Sequence, residues 1–269
     1  MIKLLKGTLN KLGLDIKRKK SLEQNIFSLL CALKVDRGFS LERHFLNHCI
    51  ENFHESKAQL MQDLMVDFFY DNTPGVFCEF GATDGVSLSN TWFLEKKRGW
   101  SGILAEPAKK WQQSLVANRP NSKIDYRCVY SVSDEIVKFN ETNDGIYSTI
   151  NEFIDNKDAL QSERQNFETY DVKTVSLERL LVDHAIANLD FLSVDTEGSE
   201  FLILKEFDFS RHAINIICVE HNYLDNRENI FRLLSDNQYV RIFSDLSLFD
   251  DWYVRKDFLN RKLKHLNLI

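Results

Sequence analysis

The seven residues from Glu79 to Gly85 combine two acids, Glu79 and Asp84, with two glycines directly after an apolar run. Gly81 and Gly85 permit a tight turn and a close approach of the backbone to a bulky ligand. The chain has neither the G-x-G-x-x-G spacing nor a G-x-x-x-x-G-K-[ST] motif, so a phosphate cradle is disfavoured. Glu79 would also repel a pyrophosphate. The motif therefore predicts a ligand that carries positive charge, and Ser87 or Ser89 is suited to cap the helix that follows.

A second acid, Glu106, ends the next apolar run and lies 21 residues after Gly85. An acid at this place in a nucleotide-binding sheet accepts hydrogen bonds from both ribose hydroxyls of an adenosine group. The alternative is an acid that caps a helix, because Pro107 suits the first helical position. The residues themselves leave both roles open.

Two later apolar runs also end in polar residues. Asp195, Glu197 and Gly198 follow one run, and His221 follows the other. The two acids are suited to orient a substrate, to hold a cation or to cap the next helix. His221 is a candidate general base, with a purely structural histidine as the alternative.

The runs that carry these residues are short and alternate with helical stretches from residue 76 onward. Continuous apolar strands separated by helices imply a parallel sheet covered on both faces, and the last two strands fit an antiparallel hairpin at its edge. The predicted fold is α/β: a doubly wound, seven-stranded, mostly parallel sheet in residues 71–269, with ligands at the carboxyl ends of its strands. Strands are predicted at 76–80, 102–105, 124–129, 191–194, 214–219, 240–243 and 252–254, and helices near 88–98, 108–118, 176–187, 199–206 and 226–236.

Two further segments precede this domain. Residues 21–70 contain no proline and repeat apolar residues at helical spacing, which predicts a helical extension. Residues 1–20 hold seven basic residues and one acid, a net charge of +6. Their apolar residues also recur at helical spacing, so this basic amphipathic tip is suited to lie on an anionic membrane or to pack on the protein's own helices.

Composition excludes several classes of protein. With 43% hydrophobic and 28% charged residues, the 269-residue chain can bury a sizeable core, and disorder is excluded for most of it. The whole chain carries −6, so the residues after the tip carry −12, which argues against nucleic-acid binding. No apolar run approaches the about 20 residues of a membrane span. A secretory signal, a disulfide framework and a zinc cluster are all disfavoured, which indicates a cytoplasmic protein.

Five motifs stand in order along the chain: E-F-G-A-T-D-G (79–85), S-N-T-W-F-L-E (89–95), G-W-S-G-I-L-A-E-P (99–107), D-F-L-S-V-D-T-E-G-S-E (190–200) and V-E-H-N (219–222). In this combination the chain resembles the FkbM family of S-adenosylmethionine-dependent methyltransferases over about residues 56–256. Residues 59–63 are similar to the S-Q-x-G-Q-D segment that often precedes this domain. Thr83 stands where Asn is frequent, and Gln59-Leu60-Met61 replaces Gln-x-Gly, but neither departure removes a charged group.

The resemblance implies a Rossmann-like sheet of the class I methyltransferase type, with S-adenosylmethionine as cofactor. The turn from Gly81 to Gly85 would cradle the amino-acid part of the cofactor, and Glu106 would bind its ribose. The adenine would lie near residues 127–131. The cofactor-binding residues implied are Glu79, Gly81, Ala82, Asp84, Gly85, Asn90, Glu106, Pro107 and Asp195.

The implied reaction is an in-line attack of a nucleophile on the sulfonium methyl group. A hydroxyl nucleophile benefits from a positioned base, for which His221 is the first choice and Asp195 the second. A divalent cation such as Mg²⁺, held by Asp195, Glu197 and Glu220, is a less favoured way to lower the pKa of the hydroxyl.

The resemblance favours O-methylation of a carbohydrate, for example in a surface polysaccharide or a lipid-linked glycan. The alternatives are a small secondary metabolite as acceptor, or a non-catalytic scaffold in a glycan-assembly complex. Peripheral contact with the inner face of the membrane through residues 1–20 would suit a lipid-linked acceptor, and residues 21–70 are suited to form a lid or a homodimer face. Five aromatic residues are candidates for stacking on sugars or for the core: Trp92, Trp111, Tyr147, Tyr223 and Trp252.

Overall fold

The computed structural model describes residues 40–155 and 161–269. Its helices are α1 (Leu41–Asn52), α2 (Gln62–Tyr70), α3 (Trp92–Arg98), α4 (Lys109–Asn118), α5 (Leu177–Asp183), α6 (Glu200–Lys205), α7 (Asn226–Asp236) and α8 (Lys256–His265). Its strands are β1 (Val76–Phe80), β2 (Ser101–Ala105), β3 (Lys123–Asp125), β4 (Cys128–Val129), β5 (Ile136–Thr142), β6 (Thr149–Ile150), β7 (Phe167–Val175), β8 (Leu189–Val194), β9 (Ile214–Glu220), β10 (Tyr239–Ile242) and β11 (Asp250–Arg255). Short 3₁₀ helices occupy Asn151–Phe153 and Gln161–Arg164.

A seven-stranded sheet forms the centre of the fold, in the order β10-β11-β9-β8-β1-β2-β3. The strands from β9 to β3 in this order pair in parallel, whereas β11 is antiparallel to both β9 and β10. The sheet is therefore mixed, which corrects the prediction of a mostly parallel sheet. Residues 243–249 alone connect β10 to β11, too few for the crossover that parallel neighbours require. The antiparallel hairpin expected for the last two strands is present.

A second sheet of four strands, in the order β4-β7-β5-β6, was missed by the sequence analysis. The strand predicted at 124–129 is divided, because β3 belongs to the seven-stranded sheet and β4 to the second sheet. Strands β5 and β7 pair antiparallel along their lengths. Most residues of β7 are exposed, so no continuous apolar run marks it. The second sheet lies between β3 and α5 in the chain as an insertion.

Two apolar clusters cover the two faces of the seven-stranded sheet. Neighbouring residues of β1, Phe77 and Cys78, belong to different clusters, as alternation along a strand requires. Helices α1 to α4 contribute to the cluster that contains Phe77, and helices α5 to α7 to the cluster that contains Cys78. This arrangement agrees with the predicted coverage of both faces.

The predicted extension at 21–70 is described only from residue 40. There, α1 and α2 pack on the seven-stranded sheet, and Ala58 between them forms a parallel bridge with Leu88, in the loop after β1. The predicted basic tip at 1–20 lies outside the described residues. Every helix within 40–155 and 161–269 is too short or too polar to cross a bilayer.

Candidate functional site

Glu79 lies near the end of β1, and the loop that follows surrounds its carboxylate. Oε1 accepts the N–H of Asn90 at 2.6 Å, and Oε2 accepts the hydroxyls of Ser89 at 3.0 Å and Thr91 at 2.5 Å. Burial raises the pKa of Glu79, although the nearby guanidinium of Arg119 and these hydrogen bonds oppose the shift. Glu79 therefore organises the loop after β1 through its own hydrogen bonds.

The turn after β1 depends on two glycines with positive φ, +71° at Gly81 and +75° at Gly85. A Cβ on Gly81 would lie 2.5 Å from the backbone oxygen of Asp195, so glycine allows the ends of β1 and β8 to approach closely. A Cβ on Gly85 would lie 2.6 Å from Cγ of Arg119. Ala82 is buried in the same turn.

Glu106 follows β2 and reaches back over this turn. Its Oε2 accepts the N–H of Thr83, and its Oε1 the N–H of Ala108, both at 2.8 Å. Burial raises the pKa of Glu106 to about 7. A carboxylate offers about four lone-pair sites, so a carboxylate bound twice retains capacity for a ligand. Pro107 follows directly, and its carbonyl accepts the hydroxyl of Tyr170 at 3.4 Å.

Asp84 and Asn90 lie at the two ends of the loop after β1. The Oδ1 of Asp84 accepts the N–H groups of Val86 and Ser87 at 2.8 and 2.7 Å, so this side chain closes the turn. The Nδ2 of Asn90 donates to Oγ of Ser193 at 2.9 Å. The Oδ1 of Asn90 is buried and has no partner among the described residues. A buried acceptor without a donor fits a ligand that donates a hydrogen bond.

Three carboxyl groups converge at the carboxyl ends of β8 and β9. Oxygens of Asp195, Glu197 and Glu220 lie within 4.8 Å of one another. Burial, followed by the repulsion of neighbouring acids, raises the pKa of Asp195 to about 7. The same causes hold the pKa values of Glu197 and Glu220 well above their usual range. This acid cluster would attract a cation, whether an ammonium, a sulfonium or a metal ion.

Helix α6 begins close to the acid cluster, but a different acid binds the amides there. The Oε1 of Glu200 accepts the N–H groups of Thr196 and Gly198 at 3.0 and 2.9 Å. Ser199 is the N-cap residue of α6. The carboxyl groups of Asp195 and Glu197 are thus not the ones that bind these loop amides.

The inserted second sheet contacts the acid cluster from one side. The hydroxyl of Thr149 donates to the carbonyl of Glu197 at 3.0 Å, and Nη2 of Arg164 donates to Oε2 of Glu197 at 2.5 Å. Burial, followed by the charges of Asp144, Glu163, Glu197 and Glu220, raises the pKa of Tyr147 to about 12. The insertion therefore supplies a guanidinium and a phenol to the region of the acid cluster.

His221 directly follows β9 and is buried. Its Nδ1 accepts the N–H of Tyr223 at 3.0 Å, and its Nε2 lies 3.8 Å from Oδ1 of Asp251 without a hydrogen bond. Burial lowers the pKa of His221 to about 4, so the ring is neutral at pH 7. Because Nδ1 already accepts a hydrogen bond, the neutral ring has no second accepting nitrogen for a substrate proton.

Asp250, which the sequence analysis did not single out, lies opposite Glu220 in the pairing of β9 with β11. Its Oδ2 accepts hydrogen bonds from Nε2 of Gln62 at 2.8 Å and from Nε1 of Trp252 at 3.3 Å. Burial raises the pKa of Asp250 to about 7. The segment at 59–63, which carries part of the resemblance, thus contacts the region at the carboxyl end of β9 through Gln62.

Arg119 was also missed, because a single arginine at the end of a helix carries no recognisable pattern. Its side chain is fully buried. It donates to Glu95 at 2.7 Å, to the carbonyl of Gly85 at 3.0 Å and to the hydroxyl of Thr91 at 3.0 Å. Arg119 thus ties α3 and the turn after β1 to the end of α4.

A family model described as the methyltransferase FkbM domain matches residues 79–254. The chain belongs to this family. The match begins at Glu79, extends past Asp250 and confirms the resemblance drawn from the five motifs. The protein is therefore an FkbM-type methyltransferase.

The solved structures that are similar to this FkbM methyltransferase include two methyltransferases. One is a precorrin-6y C5,15-methyltransferase from Geobacter metallireducens GS-15, with 11% identity, a TM-score of 0.36, and coverage of 65% of this chain and 71% of that one. The other is a candidate sarcosine dimethylglycine methyltransferase from Galdieria sulphuraria, with 10% identity, a TM-score of 0.35, and coverage of 77% and 71%. No curated protein matches the chain.

S-adenosylmethionine fits the residues that the FkbM methyltransferase presents at this edge of the sheet. Gly81 brings the turn after β1 against Asp195, and Oδ1 of Asn90 is a buried acceptor that an ammonium would satisfy. Glu106 retains lone pairs for hydroxyl groups, and the acid cluster favours a positively charged sulfur. Carboxylate oxygens also suit Mg²⁺, so the metal interpretation of Asp195, Glu197 and Glu220 stays a prediction.

The five aromatic residues proposed for sugar stacking have different environments. Trp252 is fully buried in the core, and Trp92 packs against the same cluster. Trp111 donates from Nε1 to the carbonyl of Gly145 at 3.3 Å. Tyr147 lies in the region of the acid cluster, and Tyr223 is 66% exposed.

Proposed function

We propose that this FkbM methyltransferase transfers a methyl group from S-adenosylmethionine to a hydroxyl group of a carbohydrate. The convergence of Asp195, Glu197 and Glu220 within 4.8 Å supports this proposal most strongly. Because Gly81 brings the end of β1 against Asp195, the acid cluster lies beside the turn proposed to hold the cofactor. One group of acids can thus attract a cationic cofactor and accept protons from an acceptor.

The cofactor, when bound, supplies a methyl group on a positively charged sulfur. Glu106 would accept hydrogen bonds from the ribose hydroxyls with lone pairs that Thr83 and Ala108 leave free. The Oδ1 of Asn90 would accept a hydrogen bond from the ammonium. Alignment of the two reacting groups contributes most of the barrier reduction, on the order of 7–11 kcal/mol in favourable systems.

Asp195 is the proposed base. A sugar hydroxyl is a weak acid, and a carboxylate with a pKa of about 7 is well matched to accept its proton near neutral pH. Such a base contributes roughly 10²- to 10⁴-fold to the rate. We assign His221 a different role, described below, because its Nδ1 accepts the N–H of Tyr223.

The proposal also assigns a role to each segment of the chain. Residues 71–269 form the methyltransferase domain, and residues 40–70 of the predicted extension support it through the bond from Gln62 to Asp250. Residues 1–20 bring the enzyme to the inner face of an anionic membrane, where a lipid-linked glycan would be available. The enzyme works in the cytoplasm.

Calorimetry with S-adenosylmethionine and its demethylated product, S-adenosylhomocysteine, tests the cofactor. We expect both to bind the wild-type enzyme. Glu106→Ala should weaken both by at least about tenfold, because hydrogen bonds to a charged group are lost. Glu168→Ala, at an exposed acid of β7, is the matched control. Failure of both ligands to bind the wild type would contradict the methyltransferase proposal and favour a scaffold.

Mass spectrometry of surface glycans from cells with and without the enzyme tests the acceptor. We expect one glycan component to be heavier by one methylene unit when the enzyme is present. If the extra methylene appears only on a small metabolite, the carbohydrate assignment is wrong while methyl transfer stands.

A further inference from the structure

The chain turns sharply after β9, within four residues of the acid cluster. The N–H of Leu224 donates to the carbonyl of His221 at 2.8 Å, which closes a turn whose central residues are Asn222 and Tyr223. Both central residues have positive φ, +43° and +59°. Turns of this kind favour Asn followed by Gly, because glycine adopts positive φ without steric cost. A tyrosine in the second position is therefore strained.

The side chain of Tyr223 gains no burial in return for this strain. It is 66% exposed, so packing in the core does not explain the residue. Strained backbone positions persist where the surrounding structure holds them, and they cluster at functional sites.

His221 holds Tyr223 in place. Its Nδ1 accepts the N–H of Tyr223 at 3.0 Å, and the two rings meet edge to face with centroids 5.3 Å apart and an interplanar angle of 79°. The backbone N–H of His221 donates to the carbonyl of Phe249 at 2.9 Å, which ties the turn to the residue before β11. The exposed ring is thus fixed in direction.

Asn222 connects this turn to the acid cluster. Its Nδ2 donates to Oε2 of Glu220 at 2.7 Å, and Glu220 belongs to the group of carboxyl oxygens that includes Asp195. An exposed aromatic ring and a carboxyl group of the acid cluster therefore occur together at the end of β9. This pairing suits a ring with one apolar face and several hydroxyl groups.

We propose that Tyr223 contacts the acceptor, its ring offering a stacking face to a carbohydrate beside the acid cluster, and that His221 is the positioning residue for this ring. The inference rests on the proposed carbohydrate O-methylation and adds the residue that recognises the acceptor. The strain at Tyr223 is the cost of presenting an aromatic side chain where glycine would be the more stable choice.

Tyr223→Gly separates function from folding. Glycine relaxes the positive φ, so the unfolding midpoint should stay the same or rise, and the affinity for S-adenosylmethionine in calorimetry should stay unchanged. Transfer of labelled methyl groups from S-adenosylmethionine to glycolipid and polysaccharide fractions should require about tenfold more acceptor for half saturation, as expected when one aromatic contact is lost. Tyr223→Phe, which keeps the ring, should retain most of the wild-type behaviour.

Two control variants accompany this test. Ala185→Gly relaxes another exposed residue with positive φ (+55°). Ala185 precedes the amino end of β8, whereas Tyr223 follows the carboxyl end of β9. Phe53→Ala removes a different exposed ring, at the end of α1. Neither control should change the acceptor requirement.

The outcomes distinguish this inference from the proposed function. If the wild-type enzyme binds no S-adenosylmethionine, the proposed function fails and the inference with it. If the wild type methylates a carbohydrate fraction and Tyr223→Gly needs no more acceptor, the inference alone is wrong. If Tyr223→Gly lowers the unfolding midpoint and leaves the acceptor concentration for half saturation unchanged, Tyr223 stabilises the fold and does not bind the acceptor. Methyl transfer only to a non-carbohydrate fraction would contradict the proposal that Tyr223 stacks on a carbohydrate.

Variants of His221 test its positioning role. His221→Ala should raise the acceptor concentration needed for half saturation and leave the rate at saturating acceptor nearly unchanged. His221→Asn retains an acceptor for the N–H of Tyr223 and should restore part of the loss. A fall of the saturated rate by about 10²-fold or more in both variants would instead make His221 the base.

Discussion

Hydrogen-bond partners divide the buried acids of the site into two kinds. Glu79 and Glu200 accept from several donors of neighbouring loops, so their main effect is to shape those loops. Burial, followed by repulsion from the other acids that they face, raises the pKa values of Asp195 and Glu220. A cation or a proton relieves this repulsion. At the residue scale, the second kind of acid is therefore the better candidate for ligand binding and proton transfer.

The strand-end residues could be predicted from sequence, but the partners of these residues could not. Glu79, Glu106 and Asp195 each follow an apolar run, and parallel strands bring their carboxyl ends to one edge of the sheet. Asp250 and Arg119 reach the same region through long-range contacts that leave no local pattern. The bond between His221 and Tyr223 depends on a turn geometry that the Asn-Tyr sequence does not favour.

Asp250→Asn tests the effect of a buried acid on stability. The pKa of Asp250 rises from its ordinary value near 3.8 to about 7, so the folded state holds a proton between these values that the unfolded state releases. The contribution of Asp250 to stability should therefore be fully present below the lower value and be lost as pH rises through this window, by up to about 4 kcal/mol. The variant should show a smaller fall in the free energy of urea unfolding between roughly pH 4 and pH 7, the window that the shift defines.

The control for this prediction is Asp171→Asn, at an acid whose side chain is 57% exposed. This variant should keep the pH dependence of the wild type. An equally steep fall in Asp250→Asn would mean that Asp250 is ionised at low pH in the folded state, contrary to the expected effect of its burial.

At the scale of elements, the seven-stranded sheet was predictable because its strands are apolar runs, whereas the second sheet was not. Strand β7 exposes most of its residues, and β4 and β6 have two residues each. Strands β6 and β7 form by pairing with β5, β4 forms by pairing with β7, and Phe139 and Ile150 pack in the cluster beneath them. All of these are tertiary effects. The direction of β11 likewise follows from its short connection to β10. The insertion matters for function because Thr149 and Arg164 reach Glu197.

Arg119→Lys tests how α4 supports the turn after β1. Lysine cannot reproduce the several directed bonds of the guanidinium, so Glu95 and the carbonyl of Gly85 should lose part of their hydrogen bonding. We expect a loss of roughly 2–4 kcal/mol in the free energy of urea unfolding, since hydrogen bonds of a buried charged group contribute about 1.5–3 kcal/mol each and at least one is lost. Affinity for S-adenosylmethionine should also fall in calorimetry.

Arg232→Lys is the matched control, because its side chain is 70% exposed and pairs with Glu228 on the surface of α7. Surface pairs of this kind contribute about 0–1 kcal/mol. Equal stability losses in the two variants would contradict the role assigned to Arg119.

At the scale of the whole molecule, charge is divided between two parts of the chain. Residues 1–20 carry a net charge of +6, and the remaining residues carry −12. Several acids of the larger part converge at the proposed cofactor site, where they favour a cation. The same excess of negative charge would repel an anionic membrane, so attraction to such a membrane must come from the first 20 residues.

Deletion of residues 1–20 tests this division of charge. Full-length enzyme should sediment with vesicles that contain anionic lipid and not with vesicles of phosphatidylcholine alone, because a basic residue near an anionic surface contributes about 1 kcal/mol. High salt should weaken the binding by screening. The deletion variant should lose the binding and keep its affinity for S-adenosylmethionine, since the residues of the proposed cofactor site begin at Glu79. Binding of the deletion variant equal to that of the full chain would exclude the basic tip as the membrane anchor.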